Sequence, residues 1–378
     1  MSKIEELIQQ LCPNGVEWKE IGEICKIQRG VRVVRNDLST EGQYPVYQNS
    51  LIPLGYYTNT NYPKNTTYII GAGAAADIGF SEIPYWGADD CYSVLCSKTI
   101  LNKFVYYYLK NNQLYLKTRV RKASIPRLAR NVIEKMIIPL PPLPVQEEIV
   151  RILDAFTSHA AELQAELQAR REQYEYYRNK LLSFEDNSSV EWKKLGEIGS
   201  VCMCKRIMKN QTNSTYGIPF YKIGTFGKTA DSYISPDLYE DYKNRFSFPR
   251  KGEILISASG TIGRSVIYDG EDAYFQDSNI VWLQNDETIV LNKYLYYCYQ
   301  IIDWNVEGGT IKRLYNNSIV NTEIPVPSLD EQRRIVAILD KFEALVNDLT
   351  EGLPAEIAAR QEQYEYYRNM LLSFPKAV

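Results

Sequence analysis

Arg29, Arg32 and Arg35 follow a short apolar run, and Lys117, Arg119, Arg121, Lys122, Arg127 and Arg130 form a denser basic stretch. In the second half of the chain, Lys205, Arg206 and Lys209 mirror the first cluster, and Lys312 and Arg313 fall where Arg127 does. Lys and Arg pair with phosphates, while forked guanidinium donors, amides and short hydroxyls read base edges. These side chains are therefore candidates for contact with duplex DNA. Thr225, Ser257, Ser259 and Thr261 join them as polar groups of a loop that could face the same ligand. The competing account of any charge run is a solvated face, and at this level both stand.

Other chemistries are poorly supplied. His159 is the single histidine, and Cys202-x-Cys204 has no second pair, so a zinc site is not expected. Gly71-x-Gly73 and Gly260-x-x-Gly263 lack the Lys-Ser/Thr ending of a phosphate loop and read as tight turns beside strands. A methyltransferase would carry a Gly-rich cofactor loop and an Asn/Asp-Pro-Pro-aromatic loop, and neither is present. Pro236-Asp237 is followed by Glu253-Ile254-Leu255, without the lysine that a nuclease of the PD…ExK type needs. The expectation is a chain with no catalytic site and no cofactor of its own.

The elements that position the basic clusters are written twice. Val16-Glu17-Trp18-Lys19 returns as Val190-Glu191-Trp192-Lys193, and Leu101-Asn102-Lys103 as Leu291-Asn292-Lys293. Ile125-x-Arg127-Leu128 returns as Ile311-x-Arg313-Leu314, and Ile138-Pro139-x-Pro141 as Ile324-Pro325-x-Pro327, with Gln146 matching Gln332. QYEYYRNKLLSF at 173–184 returns as QYEYYRNMLLSF at 363–374. The order is kept throughout, which marks an internal duplication.

Each copy opens with short apolar runs between turn residues, such as Tyr68-Ile69-Ile70, Ile254-Leu255-Ile256 and Ile280-Val281-Trp282, which read as strands. Helices are expected over 102–117 and 292–301, with Tyr106–Tyr108 and Tyr294–Tyr297 as packing residues. The mixture predicts an α+β domain. The copies differ most between Tyr47 and Ile78 against Tyr221 and Ile262, where the second is ten residues longer.

A proline-rich exit leads each copy into a long helix. Ile149, Leu153, Phe156, Ala160, Leu163, Leu167, Arg170, Tyr174, Tyr177, Leu181 and Phe184 keep alternating steps of four and three, a heptad seam. The series from Ile335 to Phe374 is the same with one extra step of four at Gly352-Leu353-Pro354, where a kink or break is expected. Arg170 and Arg360 occupy equivalent seam positions and either snorkel to water or fix register. The first seam is roughly 53 Å long at 1.5 Å per residue. A domain of about 130 residues has a radius of gyration near 14 Å, too small to bridge the two ends of a parallel pair. An antiparallel coiled coil is therefore expected. The layout is an N-terminal arm (1–15), a first domain (16–145), a central helix (146–185), a second domain (186–330) and a C-terminal helix (331–378), related by a pseudo-two-fold repeat.

Net charge is −3, yet 17 basic against 12 acidic side chains fall within 1–145, and 15 against 18 within 186–330. An acidic total argues against avid non-specific DNA binding and leaves room for local basic clefts and for a partner that shares the phosphate grip. No run of eighteen apolar residues occurs and the start lacks a signal-peptide pattern, so a cytoplasmic protein without a membrane span is expected.

Taken together, the duplicated layout, the exits IIPLPPLPVQEEIVRIL and EIPVPSLDEQRRIVAIL, and the stretch ISASGTIGRSVIYDGEDAYFQDSN at 256–279 resemble the specificity subunits of Type I restriction-modification systems. The tandem Ala161-Glu162-Leu163-Gln164 and Ala165-Glu166-Leu167-Gln168 is similar to the four-residue repeat of that family's central helix. The resemblance covers essentially the whole chain. It implies two target-recognition domains, each reading one half of a bipartite double-stranded DNA site. It also implies helices that dock two methyltransferase subunits, with motor-nuclease subunits joining for cleavage and S-adenosylmethionine used by the methyltransferase. A specificity subunit of another multisubunit methyltransferase-nuclease, or a coiled-coil scaffold binding only proteins, are the alternatives; basic runs at matching places in both copies favour DNA.

Overall fold

The computed structural model describes residues 3–39, 42–184, 190–308 and 312–377. The expected boundary at 185/186 and Ile311 of the repeated motif lie outside the described residues. The chain divides into two compact units, Met1–Ala165 with Ala355–Val378, and Glu166–Pro354.

The first part of the chain runs α1 (Lys3–Leu11), β1 (Glu17–Glu20), α2 (Ile21–Ile24), β2 (Cys25–Arg29), β3 (Tyr44–Tyr47), β4 (Gly55–Tyr57), β5 (Thr66–Ile70), β6 (Ile78–Ser81), β7 (Trp86–Gly87), β8 (Cys91–Cys96), α3 (Asn102–Asn111), α4 (Gln113–Thr118), α5 (Arg130–Glu134), β9 (Ile137–Leu140) and α6 (Leu143–Ser183). An antiparallel sheet has the order β2-β8-β5-β6, a smaller one β4-β3-β7, and β1 pairs with β9. All five residues of β5 are buried, because both of its faces are covered. Ile69 and Val94 point to a core shared with Phe104 and Leu109 of α3, and Tyr68, Ile70 and Cys91 to a second cluster with Tyr62 and Tyr85. The period of two along the strand fills two cores at once.

The second part repeats this plan with β10 (Glu191–Lys194), α7 (Leu195–Ile198), β11 (Gly199–Met203), β12 (Thr212–Asn213), β13 (Ile218–Tyr221), β14 (Tyr233–Ile234), α8 (Pro236–Arg245), β15 (Ile254–Ser257), β16 (Ser265–Ile267), β17 (Tyr274–Phe275), β18 (Ile280–Asn285), α9 (Asn292–Tyr299), α10 (Asn316–Asn321) and β19 (Glu323–Val326). Its sheet has the order β11-β18-β15-β16, and β10 pairs with β19. The runs read as strands lie in β5, β15 and β18, and the expected helices are α3 with α4, and α9. Ile69 faces Ile78 in the first sheet and Ile256 faces Ser265 in the second. Ser265, rather than Ile262, is therefore the counterpart of Ile78. The added length of the second copy includes α8, which has no equivalent before β5.

Each domain is tied to its exit helix by a buried glutamine. Gln146 accepts from Leu101 N at 2.8 Å and donates to Thr99 O at 3.1 Å and Pro141 O at 2.7 Å. Gln332 does the same with Leu291 N, Ile289 O and Pro327 O, each at 2.9 Å. A side-chain amide with all three polar contacts met can be buried cheaply, and it fixes strand, loop and helix to one another. Lys103 and Tyr107 meet Asp154 of α6 at 3.0 and 2.5 Å.

The chain closes with α11 (Leu329–Asn347) and α12 (Leu353–Leu371). Lys293 meets Asp340 of α11 at 3.2 Å, and Tyr297 bonds to the same carboxylate. The helix breaks at 348–352, just before and into the expected Gly352-Leu353-Pro354, and Leu353 and Pro354 already belong to α12. Asp348 accepts from Thr350 N at 2.7 Å, and a Cβ on Gly352 would come within 2.6 Å of Ala344 O. In the first unit, α6 places Ile149 and Leu153 in a core with Leu371, Leu372 and Phe374. Further along α6, Phe156 meets Tyr364 and Tyr367, which lie earlier in α12, so the two helices run antiparallel. In the second unit, the later part of α6 stacks Tyr177 on Phe342 of α11. Arg170 and Arg360 leave the seam to pair with Glu166 and Glu356 of their own helices at 3.4 and 3.6 Å, the snorkelling arrangement.

Candidate nucleic-acid interface

In each unit the basic residues gather at one end of the large sheet. β8 starts at Cys91, next to Asp89 and Asp90, and ends at Cys96, close to Thr99 and Leu101 under the Gln146 clamp. Six strand residues at about 3.3 Å each put roughly 20 Å between the two ends. The basic end is thus presented away from the exit helix.

In the first unit, Arg29, Arg121 and Arg127 line one cleft of about 270 Å³ with Asp89, Asp90 and Tyr92. Arg29 is the last residue of β2, and its Nε donates to Asp89 O at 2.5 Å. Arg121 and Arg127 hold each other through paired backbone hydrogen bonds of 2.8 and 3.2 Å, and Arg127 lies 3.9 Å from the Asp90 carboxylate. Gly73, with φ +85, turns the chain sharply after β5, as expected of the Gly71-x-Gly73 pair. Arg32, Arg35 and Lys122 are exposed in the neighbouring connections. Lys117 pairs with Asp77 at 3.4 Å, and Arg119 lies over the Tyr115 ring at 5.0 Å. These two are engaged on α4 and do not line the cleft.

The second unit has the same plan with different groups. Arg206 follows β11, and its Nε donates to Asp277 Oδ2 at 2.8 Å. Arg313 Nη2 donates to Ser278 O and Oγ, both at 2.8 Å, and Ser259 donates to Asn279 Oδ1 at 2.9 Å. Arg313 also forms bridges with Ser259 and Glu307, matching those of Arg127 with Ala72 and Arg121. Gly260 and Gly263 have φ +66 and +80, so this glycine pair also makes turns.

The polar loop residues divide. Thr261 is exposed. Ser257 is 1% exposed, and its hydroxyl bonds to Thr261 O and accepts from Arg264 N at 2.9 Å. The expectation that Ser257 faces a duplex therefore gives way to a structural role: its hydroxyl closes the 257–264 turn. Thr225 is half-buried and spends its hydroxyl on Lys222 N and O at 3.2 and 3.3 Å. Lys205 lies over the Phe246 ring at 5.1 Å, while Lys209 and Lys312 are exposed.

Sequence reasoning passed over the acidic and amide residues between these arginines. Asp89, Asp90, Asp277, Ser278 and Asn279 belong to the turns that enter β8 and β18. A search for basic clusters gives them no weight. Their signal is position, immediately before the last strand of each sheet repeat. The tyrosines fall as expected: Tyr107, Tyr108, Tyr294 and Tyr297 are buried.

The chain is thus a duplicated α+β unit with arginines at one sheet end and a glutamine-clamped long helix at the other. The model of the type I restriction modification DNA specificity domain matches residues 13–172 and 187–359, and the chain belongs to this family. It is 46% identical to a putative type I restriction enzyme specificity subunit of Haemophilus influenzae, across 95% of this chain and 96% of that one. It is 32% identical to the specificity subunit of the Escherichia coli type I restriction enzyme EcoR124I/EcoR124II, across 100% of this chain and 98% of that one. The S subunit of a type I restriction-modification system from M. genitalium shares the fold, with a TM-score of 0.62 at 16% identity over 95% of this chain and 96% of that one.

No helix among the described residues is long and apolar enough to cross a membrane.

Proposed function

We propose that this chain is the non-catalytic DNA-reading subunit of a type I restriction-modification complex. Residues 16–145 and 186–330 each read one half of a bipartite, non-palindromic site in double-stranded DNA. The α6, α11 and α12 helices set the gap and dock two methyltransferase subunits, and motor-nuclease subunits join for cleavage. S-adenosylmethionine is bound by the methyltransferase and no cofactor by this chain, and the complex works in the cytoplasm.

The observation that carries this reading is the same sheet order and the same glutamine clamp in two units whose basic ends carry different side chains. A shared frame with divergent loops is what two readers of unequal half-sites need. Replacing residues 190–330 with the equivalent domain of a relative of different target tests it. One half-site is expected to change and the other to persist; a change in both would show that the domains do not read independently.

A further inference from the structure

In each unit one arginine is held through its Nε, by different acceptors and at neighbouring rather than equivalent positions. Arg29 Nε donates to the backbone carbonyl of Asp89, and Arg206 Nε donates to the carboxylate of Asp277. Both arginines come at or just after the end of the first strand of the large sheet, and both grip the turn entering the strand paired with it. Among the described residues, Nη1 and Nη2 of neither arginine have a protein partner. The Arg206 side chain is 67% exposed, whereas Asp277 is only 17% exposed. The exposed Arg32, Arg35, Lys122, Lys209 and Lys312 carry no such tether among the described residues.

A guanidinium fixed through Nε keeps its planar fork pointing outward, with two parallel N–H donors. That fork matches the O6 and N7 acceptors of guanine in the major groove. A phosphate contact needs no such fixing, since any mobile cation near the backbone gains most of the electrostatic term. The anchoring turn in the second unit is itself held by Arg313. Ser278 holds φ +51, in the left-handed region, and Arg313 bonds to its carbonyl and hydroxyl. Asp277 is largely buried, so the tether both satisfies its carboxylate and fixes the direction of the exposed Arg206 fork.

We infer that Arg29 and Arg206 are the guanine-reading residues of the two half-sites, one in each, and that Asp277 is a positioning residue acting through Arg206. This deepens the proposed function and rests on it. Each half-site then contains a G·C pair read by a single tethered arginine.

The test is selection from a random duplex library by the complex with the native methyltransferase, comparing the wild type with Arg29→Lys, Arg206→Lys and Asp277→Asn. The wild type is expected to select a guanine in both half-sites. Arg206→Lys should lower the preference for guanine at one position of one half-site by roughly ten- to a hundredfold and leave the other half-site unchanged. Arg29→Lys should do the converse. Asp277→Asn keeps the arginine and its charge, and should weaken discrimination at the Arg206 position alone. Lysine variants that bind every sequence more weakly, with a shallower salt dependence, would assign these arginines to phosphates and overturn the inference. Unchanged selection would overturn it as well. A wild-type complex that selects no motif would sink the recognition reading itself, and this inference with it.

Discussion

The ring of Phe156 stacks on that of Tyr367 with centroids 5.5 Å apart and planes inclined by 26°. Tyr177 and Phe342, their counterparts in the duplicated sequence, stack at 5.6 Å and 22°. Each unit therefore takes the near part of its own exit helix and the far part of the other one. The same aromatic pair joins the two pieces in both. Phe156→Ala and Phe342→Ala should each destabilise the chain by about 2 kcal/mol, for a half-buried ring that leaves part of its space to solvent. Urea unfolding checks this. A loss at one position only would mean that the two contacts are not equivalent.

Gln146→Ala would remove the partner of Leu101 N, Thr99 O and Pro141 O at a place where the glutamine itself is fully buried. The expected cost is about 3 kcal/mol, and Gln332→Ala should cost the same. Glutamate at either place should be worse, because a carboxylate cannot donate to the two carbonyls. Thermal melts of the four variants, in complex with the methyltransferase, measure this.

Glu148 is 3% exposed and takes hydrogen bonds from Arg151 at 2.6 and 3.0 Å and from Lys3 of α1 at 2.9 Å. Arg151 holds its carboxyl well below the usual range, down to about 2, with Lys3 assisting and burial opposing. A carboxyl whose folded value is depressed stabilises the fold above its unfolded value near 4.5. That contribution fades as pH falls from there toward 2. Glu148→Gln should therefore flatten the acid limb of the stability profile between these values and leave the slope near neutrality alone. An acid limb identical to the wild type would show that this carboxylate titrates as if free.

Removing one Ala-Glu-Leu-Gln unit from 161–168 shortens a helix by about 6 Å and turns it by about 40°. Both half-site sequences should survive and only their separation should change. Methylation of a library with varied gaps reads this directly. A change in the bases recognised would contradict a spacing role.

Much of this was legible in the sequence because periodicity and repetition survive without contacts. The four-three seam of 149–184 forecast α6, and one extra step of four forecast the break before Leu353. The antiparallel pairing was legible from the length of the seam against the size of a domain. The aromatic partners Phe156 with Tyr367 and Tyr177 with Phe342 were not, since a seam does not give the register between its helices. Side-chain roles in the 257–264 turn were also hidden. Ser257 and Thr261 look alike as hydroxyls, but the first lies at the end of a strand buried at every position and the second on the exposed tip. Asp277 escaped notice for a different reason: a search for basic clusters gives a carboxylate no weight, and only the fold shows that it holds Arg206.

The most direct measurement is selection from random duplexes at near-physiological salt by the wild-type chain assembled with its methyltransferase. Two unequal short motifs at one fixed separation are the predicted result, and they would supply target and gap together. A folded complex that binds DNA and enriches no motif would contradict the account and leave a scaffold or a non-specific binder in its place.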